Sequence, residues 1–484
     1  MERGAPGDTA RAWRTGKEAM LPPHSAPGSD ADWLALEAEV CSHGDTVHYA
    51  RQPRFFARSH GSYLYDNRDT PYLDLQMWYS AVNLGYGNER VNAAVARQLG
   101  TLPQLAPQYL HYERVELAAR LVDGTRRAFG AAGRVHFDVG GSQAVEDALK
   151  LVRLRTGRQR VYAFEGGYHG RTLGASAITS AYRYREPFGE FGDRAEFVPF
   201  PYCFRCPYGK RRETCELYCV AQIERKFEHP YTGAWSSRTG RSEFAAFVVE
   251  PVQGTGGYVV PPPGYFERLA RLCREHGMLL VDDEVQMGFY RTGRLWALEH
   301  FDAQPDVVAF GKALTNGLNP LSGIWAREEL IGPDAFPPGT THSTFAANPL
   351  GTAAGLEVMK IFEERDYALA VERKGSYLLE LLRDLARAHP EIGDVDGLGL
   401  ALRLEICQAD GYTPNQELAD AMFQRGLAGD LRIGGRELGL VLDIGGYYKN
   451  VITLAPSLDI ADEDLELARD LLDLVLIECK QSDR

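Results

Sequence analysis

Charged side chains that could do chemistry follow directly on apolar runs of this chain. Lys312 comes two residues after the apolar run 307–310, where a charged ammonium is disfavoured. Such a position lowers the pKa of a lysine and supplies the neutral amine that a Schiff base requires. The alternative is a lysine whose flexible side chain carries its ammonium out to solvent.

Carboxylates follow two further apolar runs. Glu250 closes one of them, and the triplet Asp282-Asp283-Glu284 comes at the end of another. Three acidic groups at the end of an apolar strand are costly to bury unless something cationic pairs with them. Metal binding is a competing interpretation of the triplet, although no histidine accompanies it at ligand spacing.

Two loops have residues suited to binding anions or flat rings. Gly140-Gly141-Ser142 leads from an apolar run into a helical pattern, where glycines permit a sharp turn and the helix start attracts a phosphate. A plain helix cap by Ser142 is the alternative. Further on, Tyr168 could stack on a ring and Arg171 could bind a carboxylate, although an ordinary loop explains both equally well.

The elements that must position these side chains alternate between strand and helix patterns. Amphipathic stretches such as 142–155 and 265–276 predict helices, and they separate short apolar runs typical of buried strands, at 135–139, 161–164, 244–250, 278–282 and 307–310. This alternation predicts an α/β fold with a mostly parallel central sheet flanked by helices. Ligands of such sheets bind at the carboxyl ends of the strands, where the residues described above fall.

Four segments are expected along the chain. Residues 1–31 are rich in Gly, Ala, Pro and charge without periodicity, which predicts a disordered tail. Residues 32–103 predict an irregular N-terminal segment with short strands and a helix. A large α/β domain at 104–347 is followed by a smaller α+β domain at 348–484, with two long helices, strands at 399–406 and 451–455, and a final helix.

The bulk composition excludes several classes of protein. The chain has 484 residues, 44% hydrophobic and 25% charged, with a formal net charge of −13, which argues against nucleic-acid and anionic-membrane partners. It has no apolar run long enough to span a membrane and no secretory signal at its N-terminus. Eight cysteines without such a signal favour a reducing cytoplasm over a disulfide framework.

These weak signals agree with one another. A phosphate-binding turn, a stacking aromatic, a buried carboxylate and a buried lysine on successive strand ends are the parts of a pyridoxal 5′-phosphate (PLP) site. The carboxylate would keep the pyridine nitrogen protonated, so that the ring accepts electrons from the substrate Cα. Lys312 would hold the cofactor as a Schiff base and then move the Cα proton.

Six motifs in this order resemble the class-III aminotransferases, the ornithine and 4-aminobutyrate aminotransferase group of fold type I PLP enzymes. They are GGSQAVEDALK, GGYHGRT, EPVQGTGG, DDEVQMGFYRTG, FGKAL and HSTFAANPL. The resemblance implies an amine or amino-acid substrate and a homodimer with its active sites at the subunit interface. The smaller domain would be formed by the C-terminal part together with the N-terminal segment.

The resemblance also implies roles for residues at the cofactor. Lys312 would form the Schiff base and Asp283 would pair with the pyridine nitrogen, and both are expected to be catalytic. Gln286 would touch the ring hydroxyl, and Tyr168 would stack on the ring. The phosphate would be held by two residues of the glycine turn, Gly141 and Ser142.

Further residues are expected at the substrate and at the subunit interface. Thr344 would reach the phosphate of the neighbouring subunit. Arg171 matches a position that binds a distal carboxylate, and Tyr79 a position in the wall of the substrate pocket. We also expect Glu250 to contribute to substrate binding.

Two threonines replace a charged pair of the family. Many members carry Glu in the motif where this chain has Thr255, and Arg where it has Thr453. In those enzymes the pair acts as a gate that frees the arginine for the α-carboxylate of glutamate or 2-oxoglutarate. Loss of both partners favours a changed substrate, and the alternative is that another arginine supplies the contact.

A cysteine cluster is a second departure from the family pattern. Cys203, Cys206, Cys215 and Cys219 give the spacing C-x2-C-x8-C-x3-C, which could hold zinc or an iron–sulfur cluster. The gap between the pairs is shorter than in most zinc ribbons. We therefore expect reduced thiols and no metal.

Three functions follow from these residues. The first is an aminotransferase that moves an amino group from an amine or amino acid to a carbonyl acceptor. The second uses the same site for decarboxylation, oxidative deamination, β-elimination or racemisation of an amino acid or cysteine conjugate in specialised natural-product metabolism. The third, a non-catalytic PLP-binding protein, is disfavoured by the presence of both Lys312 and Asp283.

Overall fold

The computed structural model describes residues 29–482, apart from residues 190, 193, 194 and 233. The predicted tail lies outside the described residues, except that the helix Asp30–Val40 begins within its last residues. The chain divides into two compact units, which end and begin at Phe55 and Phe56. In the first unit that helix is followed by one short 3-10 helix, Thr46–Tyr49.

A seven-stranded sheet forms the centre of the second unit. Its strands are, in spatial order, Gly133–Asp138, Ser322–Arg327, Val307–Phe310, Leu279–Asp283, Phe244–Val249, Arg160–Phe164 and Glu196–Val198. Only Ser322–Arg327 runs antiparallel to its neighbours among these described strands. The predicted mostly parallel sheet is therefore confirmed, and its strands are apolar on both sides because helices cover both faces.

Helices connect and cover these strands. They are Glu89–Leu99, Tyr112–Phe129, Gly141–Thr156, Leu173–Ile178, Tyr218–Glu228, Tyr265–Glu275, Glu328–Ile331, Pro349–Glu364, Tyr367–Ala388, Gln416–Leu427 and Asp462–Ser482. Short 3-10 helices lie at Tyr182–Tyr184, Glu186–Phe188, Ala297–Phe301 and Lys312–Thr315. Within the described part of the chain, no helix is both long and apolar enough to cross a membrane.

Two smaller sheets lie in the N-terminal and C-terminal parts of this unit. One has the order Phe56–His60, Tyr63–Asp66, Pro71–Asp74, Arg436–Val441 and Leu431–Ile433. The other has the order Ile392–Leu398, Ala401–Ile406, Val451–Leu454 and Asp443–Gly445, and a two-stranded ribbon pairs Trp235–Ser236 with Arg241–Ser242. The first of these sheets joins the N-terminal segment to the C-terminal part, as expected of the smaller domain. The boundaries predicted at 103/104 and 347/348 stay predictions.

Candidate active site

Lys312 and Asp283 lie at the carboxyl ends of two adjacent parallel strands. Asp283 pairs in register with Ala309, three residues before Lys312. Burial lowers the pKa of the Lys312 amine, although the negative charges of Asp283, Glu250 and Asp443 partly offset this. Among the described residues, no group forms a hydrogen bond or ion pair with Lys312, so its amine is available for chemistry.

A histidine orients Asp283. The Nδ1 atom of His169 lies 2.8 Å from the Oδ2 atom of Asp283, and the backbone N–H of Val285 donates to Oδ1 at 3.1 Å. Burial alone would lower the pKa of His169, but its bond to Asp283 and the nearby charge of Glu250 raise it overall. Sequence reasoning gave His169 no role, although its place beside Tyr168 in the motif was a usable signal.

Glu250 fixes two loops of the site. Its carboxylate accepts the backbone N–H of Tyr168 at 2.9 Å and the backbone N–H of Gly254 at 3.0 Å. Burial raises its pKa to about 7, with a further contribution from Asp283, while His169 acts in the opposite direction. Both oxygens are thus engaged with backbone, and Glu250 can affect a substrate chiefly through the loops it holds.

The glycine turn lies close to the residue before the lysine, since a Cβ on Gly311 would lie 3.8 Å from the Cα atom of Gly141. A Cβ on Gly141 would lie 2.7 Å from Val285 Cγ1, and one on Gly170 would lie 2.2 Å from Ser142 Oγ. The Oγ atom of Ser142 also accepts the backbone N–H of Arg171 at 3.2 Å. Two segments far apart in sequence therefore meet at the start of the helix Gly141–Thr156, which suits a phosphate.

Aromatic and amide groups lie around this centre. Tyr168 packs edge-on against Tyr184, with ring centroids 5.7 Å apart. The Nε2 group of Gln286 donates to the hydroxyl of Tyr258 at 3.1 Å. Thr344 is exposed, and its predicted contact with the phosphate of a neighbouring subunit stays a prediction.

Tyr79 lies in a left-handed turn. The residues from Met77 to Ser80 all have positive φ, between 44° and 64°. Such a conformation costs roughly 1–2 kcal/mol per residue and is stable only where its surroundings enforce it. Asp74 supplies part of that support, because its Oδ1 atom accepts the backbone N–H groups at 76 and 77, at 2.7 and 2.8 Å. Tyr79 is thereby held within this strained segment.

The two threonines that replace the charged pair, Thr255 and Thr453, both lie close to Gly445. A Cβ on Gly445 would lie 3.1 Å from Thr453 Cγ2 and 3.3 Å from the backbone oxygen of Thr255. The hydroxyl of Thr453 donates to Asp443 Oδ2 at 2.8 Å. Burial raises the pKa of Asp443, a residue that sequence reasoning missed.

Arg403 is the arginine nearest to the lost pair in the sheet. It is the cross-strand partner of Thr453, and its side chain is 2% exposed. Its guanidinium donates to Tyr202 Oη at 2.6 Å and to Glu405 at 3.1 Å, and it also pairs with Asp394. These acidic partners hold Arg403, so a substrate carboxylate would have to displace one of them.

Cations converge near Tyr184 instead. The guanidinium carbons of Arg171 and Arg183 lie 4.1 and 4.6 Å from the centre of the Tyr184 ring. Lys449 donates to the backbone oxygen of Ile444 at 3.0 Å. Burial and the repulsion of Arg183 and Arg171 lower the pKa of Lys449 to about 8, while Asp443 opposes the shift. A group of cations surrounding a site in this way suits an anionic ligand.

Two acids of the triplet, Asp282 and Glu284, have no cationic partner among the described residues. Among the described residues, neither oxygen of Asp282 has a hydrogen-bond partner, and Oε2 of Glu284 has none either. Burial raises the pKa of both groups, and that of Glu284 reaches about 8. Raised pKa values favour the protonated form of these two buried acids. Among the described residues, the triplet does not form a group of three ligand atoms within 4.8 Å of one another, as the competing metal interpretation would need.

The cysteine cluster also has no compact ligand set. Cys203, Cys206, Cys215 and Cys219 are all free thiols, and each is partly buried. In the described part of the chain, no three of their sulfur atoms lie together within 4.8 Å of one another. Burial raises the pKa of Cys219 to about 11, which favours the protonated thiol.

Comparison with known proteins agrees with this geometry. The family model "Aminotransferase class-III" matches residues 46–476. A 4-aminobutyrate aminotransferase of Escherichia coli is 33% identical over 89% of this chain and 95% of its own length. A leucine/methionine racemase of Thermococcus litoralis is 32% identical over 86% of this chain and 89% of its own length.

A solved structure has the same fold with the cofactor present. It is an amine transaminase from an uncultivated Pseudomonas species in its PLP-bound form, 26% identical, with a TM-score of 0.80 over 91% of this chain and 98% of the other. The buried amine, the carboxylate and the glycine turn described above fit the same cofactor. This chain belongs to the class-III aminotransferase family and is a PLP-dependent enzyme.

Proposed function

We propose that this chain is an aminotransferase, which moves an amino group from an amine or amino-acid donor to a carbonyl acceptor. The observation that carries the proposal is the Lys312 amine beside the Asp283–His169 pair. A lysine of lowered pKa can accept and return a proton at the substrate Cα, which transfer in both directions requires. Its intact partners also argue against a non-catalytic binding protein.

The chain's own residues would then have distinct tasks at the cofactor. Bound PLP supplies an electron-accepting ring, to which Lys312 provides the attachment point. Asp283, oriented by His169, would keep a proton on the pyridine nitrogen. Gly141 and Ser142 would bind the phosphate at the helix start, Tyr168 would cover the ring, and Gln286 would contact its hydroxyl.

The substrate would carry a carboxylate, and this carboxylate would bind away from the position of the charged pair that other family members have. With Thr255 and Thr453 in place of the charged pair, no arginine is available there for an α-carboxylate. Arg171 would be the main carboxylate anchor, with Lys449 as a second positive group close by. Tyr79 would line the pocket, and Glu250 would shape it by holding the loops at Tyr168 and Gly254.

A homodimer in a reducing cytoplasm completes the proposal. Large apolar side chains are exposed between residues 102 and 115, and Phe345 beside Thr344 is 71% exposed. His111 Nε2 lies 3.1 Å from the backbone oxygen of Ala347, which brings these two stretches together. A second copy covering them would bring Thr344 to the phosphate of its partner. The described cysteines are all free thiols, which fits a reducing compartment.

Racemisation is the second candidate. Two relatives, named leucine/methionine racemase and alanine/serine racemase, are 32% and 31% identical to this chain. A racemase needs the same removal of the Cα proton but returns it to the opposite face, without net transfer of nitrogen. The missing charged pair fits this outcome as well, since a racemase binds no second, carboxylate-bearing acceptor.

A single-turnover experiment separates these outcomes. The PLP form is mixed with a panel of amines and amino acids in D2O, including glutamate, while absorbance and Cα deuterium exchange are followed. We expect conversion to the pyridoxamine form with a preferred donor other than glutamate. Exchange with inversion but without conversion would establish a racemase. Fast conversion by glutamate would show that another arginine, with Arg403 the first to test, has replaced the lost one.

A further inference from the structure

A group of metal-ligating side chains lies outside the site described above. His136 and Asp138 lie on the strand Gly133–Asp138, and Asp147 lies on the helix Gly141–Thr156. One ligand atom from each residue lies within 4.8 Å of the other two. We propose that His136, Asp138 and Asp147 bind a divalent transition-metal ion of the zinc class.

The burial of the group separates it from ordinary surface acids. Asp138 and Asp147 are each 3% exposed. Among the described residues, the Oδ2 atom of Asp138 is buried without a hydrogen-bond partner. The Nε2 atom of His136 is also buried, and it lies at ion-pair distance from Asp147 without forming a hydrogen bond. Two such ligand atoms within one group of three leave a position that an ion could fill.

The distances suit a small ion. His136 Nε2 lies 3.3 Å from Asp147 Oδ2. Two ligands at about 2.0–2.1 Å from a tetrahedral zinc ion are roughly 3.3 Å apart. One imidazole with two carboxylates is a donor set that zinc accepts, and a water molecule reaching past the partly exposed His136 would complete four ligands.

The charges around the group leave room for a cation. Lys150 Nζ and Thr341 Oγ1 both donate to Asp147 Oδ1, at 2.7 Å each, so that Oδ2 is left facing His136. One lysine faces two carboxylates in this group, so a divalent ion would balance the remaining negative charge.

The position of the group suggests what the ion would do. Asp138 lies two residues before Gly140, where the glycine turn begins, and Thr341 lies three residues before Thr344. An ion here would tie the end of the strand, the helix that starts at Gly141 and the segment carrying Thr344 to one point. It would therefore be a structural ion beneath the cofactor turn, with no part in the reaction itself.

The test is a titration of metal-stripped holoenzyme with zinc chloride by calorimetry, together with elemental analysis. We expect one zinc ion per chain and a higher melting temperature when zinc is present. His136→Phe should lower the affinity by at least about 100-fold while keeping the ring that packs on Phe336. Asp138→Asn, which removes a carboxylate and keeps the shape of the side chain, should also lose the ion.

Two controls locate the binding. His276→Phe replaces another partly buried histidine that stacks on an aromatic ring, and it should leave zinc affinity unchanged. The double variant Cys203→Ser/Cys206→Ser tests the competing thiols and should also bind zinc normally. Absence of stoichiometric zinc in the wild type, or its loss only in the cysteine variant, would overturn the proposal.

Discussion

The charged side chains on the cofactor side of the site and those on its substrate side are arranged differently. On the cofactor side the buried amine of Lys312 lies near acidic groups whose positions are fixed: Asp283 has His169, and Glu250 has two backbone N–H groups. On the substrate side three cations come together, and burial together with the charges of Arg183 and Arg171 lowers the pKa of Lys449. This local excess of positive charge favours an anionic ligand on the substrate side.

This difference assigns reactivity and selectivity to separate parts of the chain. The residues of the cofactor side follow strands of one sheet, and these strands keep their geometry whatever substrate is bound. The substrate side combines loops with two strands of a smaller sheet, in which Thr453 is tolerated because Asp443 accepts its hydroxyl. Changes on the first side should alter every reaction equally, and changes on the second should alter only the choice of substrate.

The largest effect should come from Lys312→Ala. Loss of the amine removes both the attachment point and the proton carrier, and proton transfer alone contributes about 10²–10⁴-fold. We expect turnover of every donor to fall by at least this factor, with PLP still retained through the phosphate turn. Borohydride reduction followed by peptide mapping provides the check, and cofactor attached to another lysine would refute the assignment.

Asp283→Asn should have the next largest effect. An amide cannot hold a proton on the pyridine nitrogen by charge, and loss of a preorganised electrostatic contact of this kind costs about 10²–10³-fold in turnover. The isotope-exchange rate at the donor Cα should fall for all donors alike. His169→Gln, which weakens only the orientation of Asp283, serves as the graded comparison and should lose less. Near wild-type exchange in Asp283→Asn would mean that another group protonates the ring.

The cofactor side could be predicted from sequence because its residues follow local rules. Lys312, Asp283 and Glu250 each end an apolar run, and parallel strands bring such ends to one edge of the sheet. Strand positions were predicted to within about two residues, as at Val307–Phe310 and Leu279–Asp283. The antiparallel strand Ser322–Arg327 escaped prediction; it pairs with the preceding strand Val307–Phe310 on one side and with the distant strand Gly133–Asp138 on the other.

The substrate side could not be predicted in the same way. Asp443 and Lys449 lie in a stretch without a motif, and their relevance appears only when the strands at 443–445 and 451–454 pair. The left-handed turn at Tyr79 also has no sequence signature, because Met and Trp occupy positions where glycine would signal positive φ. The residue types on the substrate side could be identified from the sequence. Which of these residues lie close together depends on the tertiary structure.

Arg171→Ala should separate donors by their charge. A carboxylate bound by a desolvated arginine gains roughly 1.5–3 kcal/mol, which corresponds to about tenfold to a hundredfold in affinity. We expect KM for a carboxylate-bearing donor to rise by this factor and KM for an amine without a carboxylate to stay unchanged. Steady-state kinetics with a matched pair of donors measures the difference. An equal loss for both would mean that Arg171 supports the loop and does not bind substrate.

The smallest effect should come from Lys449→Met, and it should depend on pH. Because the pKa of Lys449 is lowered to about 8, its charge is present below that pH and is lost as the pH rises through it. For a carboxylate-bearing donor, KM of the wild type should therefore increase by a few-fold between pH 7 and pH 9, since a single partly screened charge contributes at most about 1 kcal/mol. Lys449→Met should have the higher KM at pH 7, a KM close to that of the wild type at pH 9, and a flat profile between them. Arg183→Met is the matched control: it removes one of the two arginines that depress the pKa of Lys449, so the same transition should move to higher pH. A pH profile unchanged by either substitution would show that the cations near Tyr184 do not act on the substrate as a group, and the contrast between the two sides would then rest on Arg171 alone.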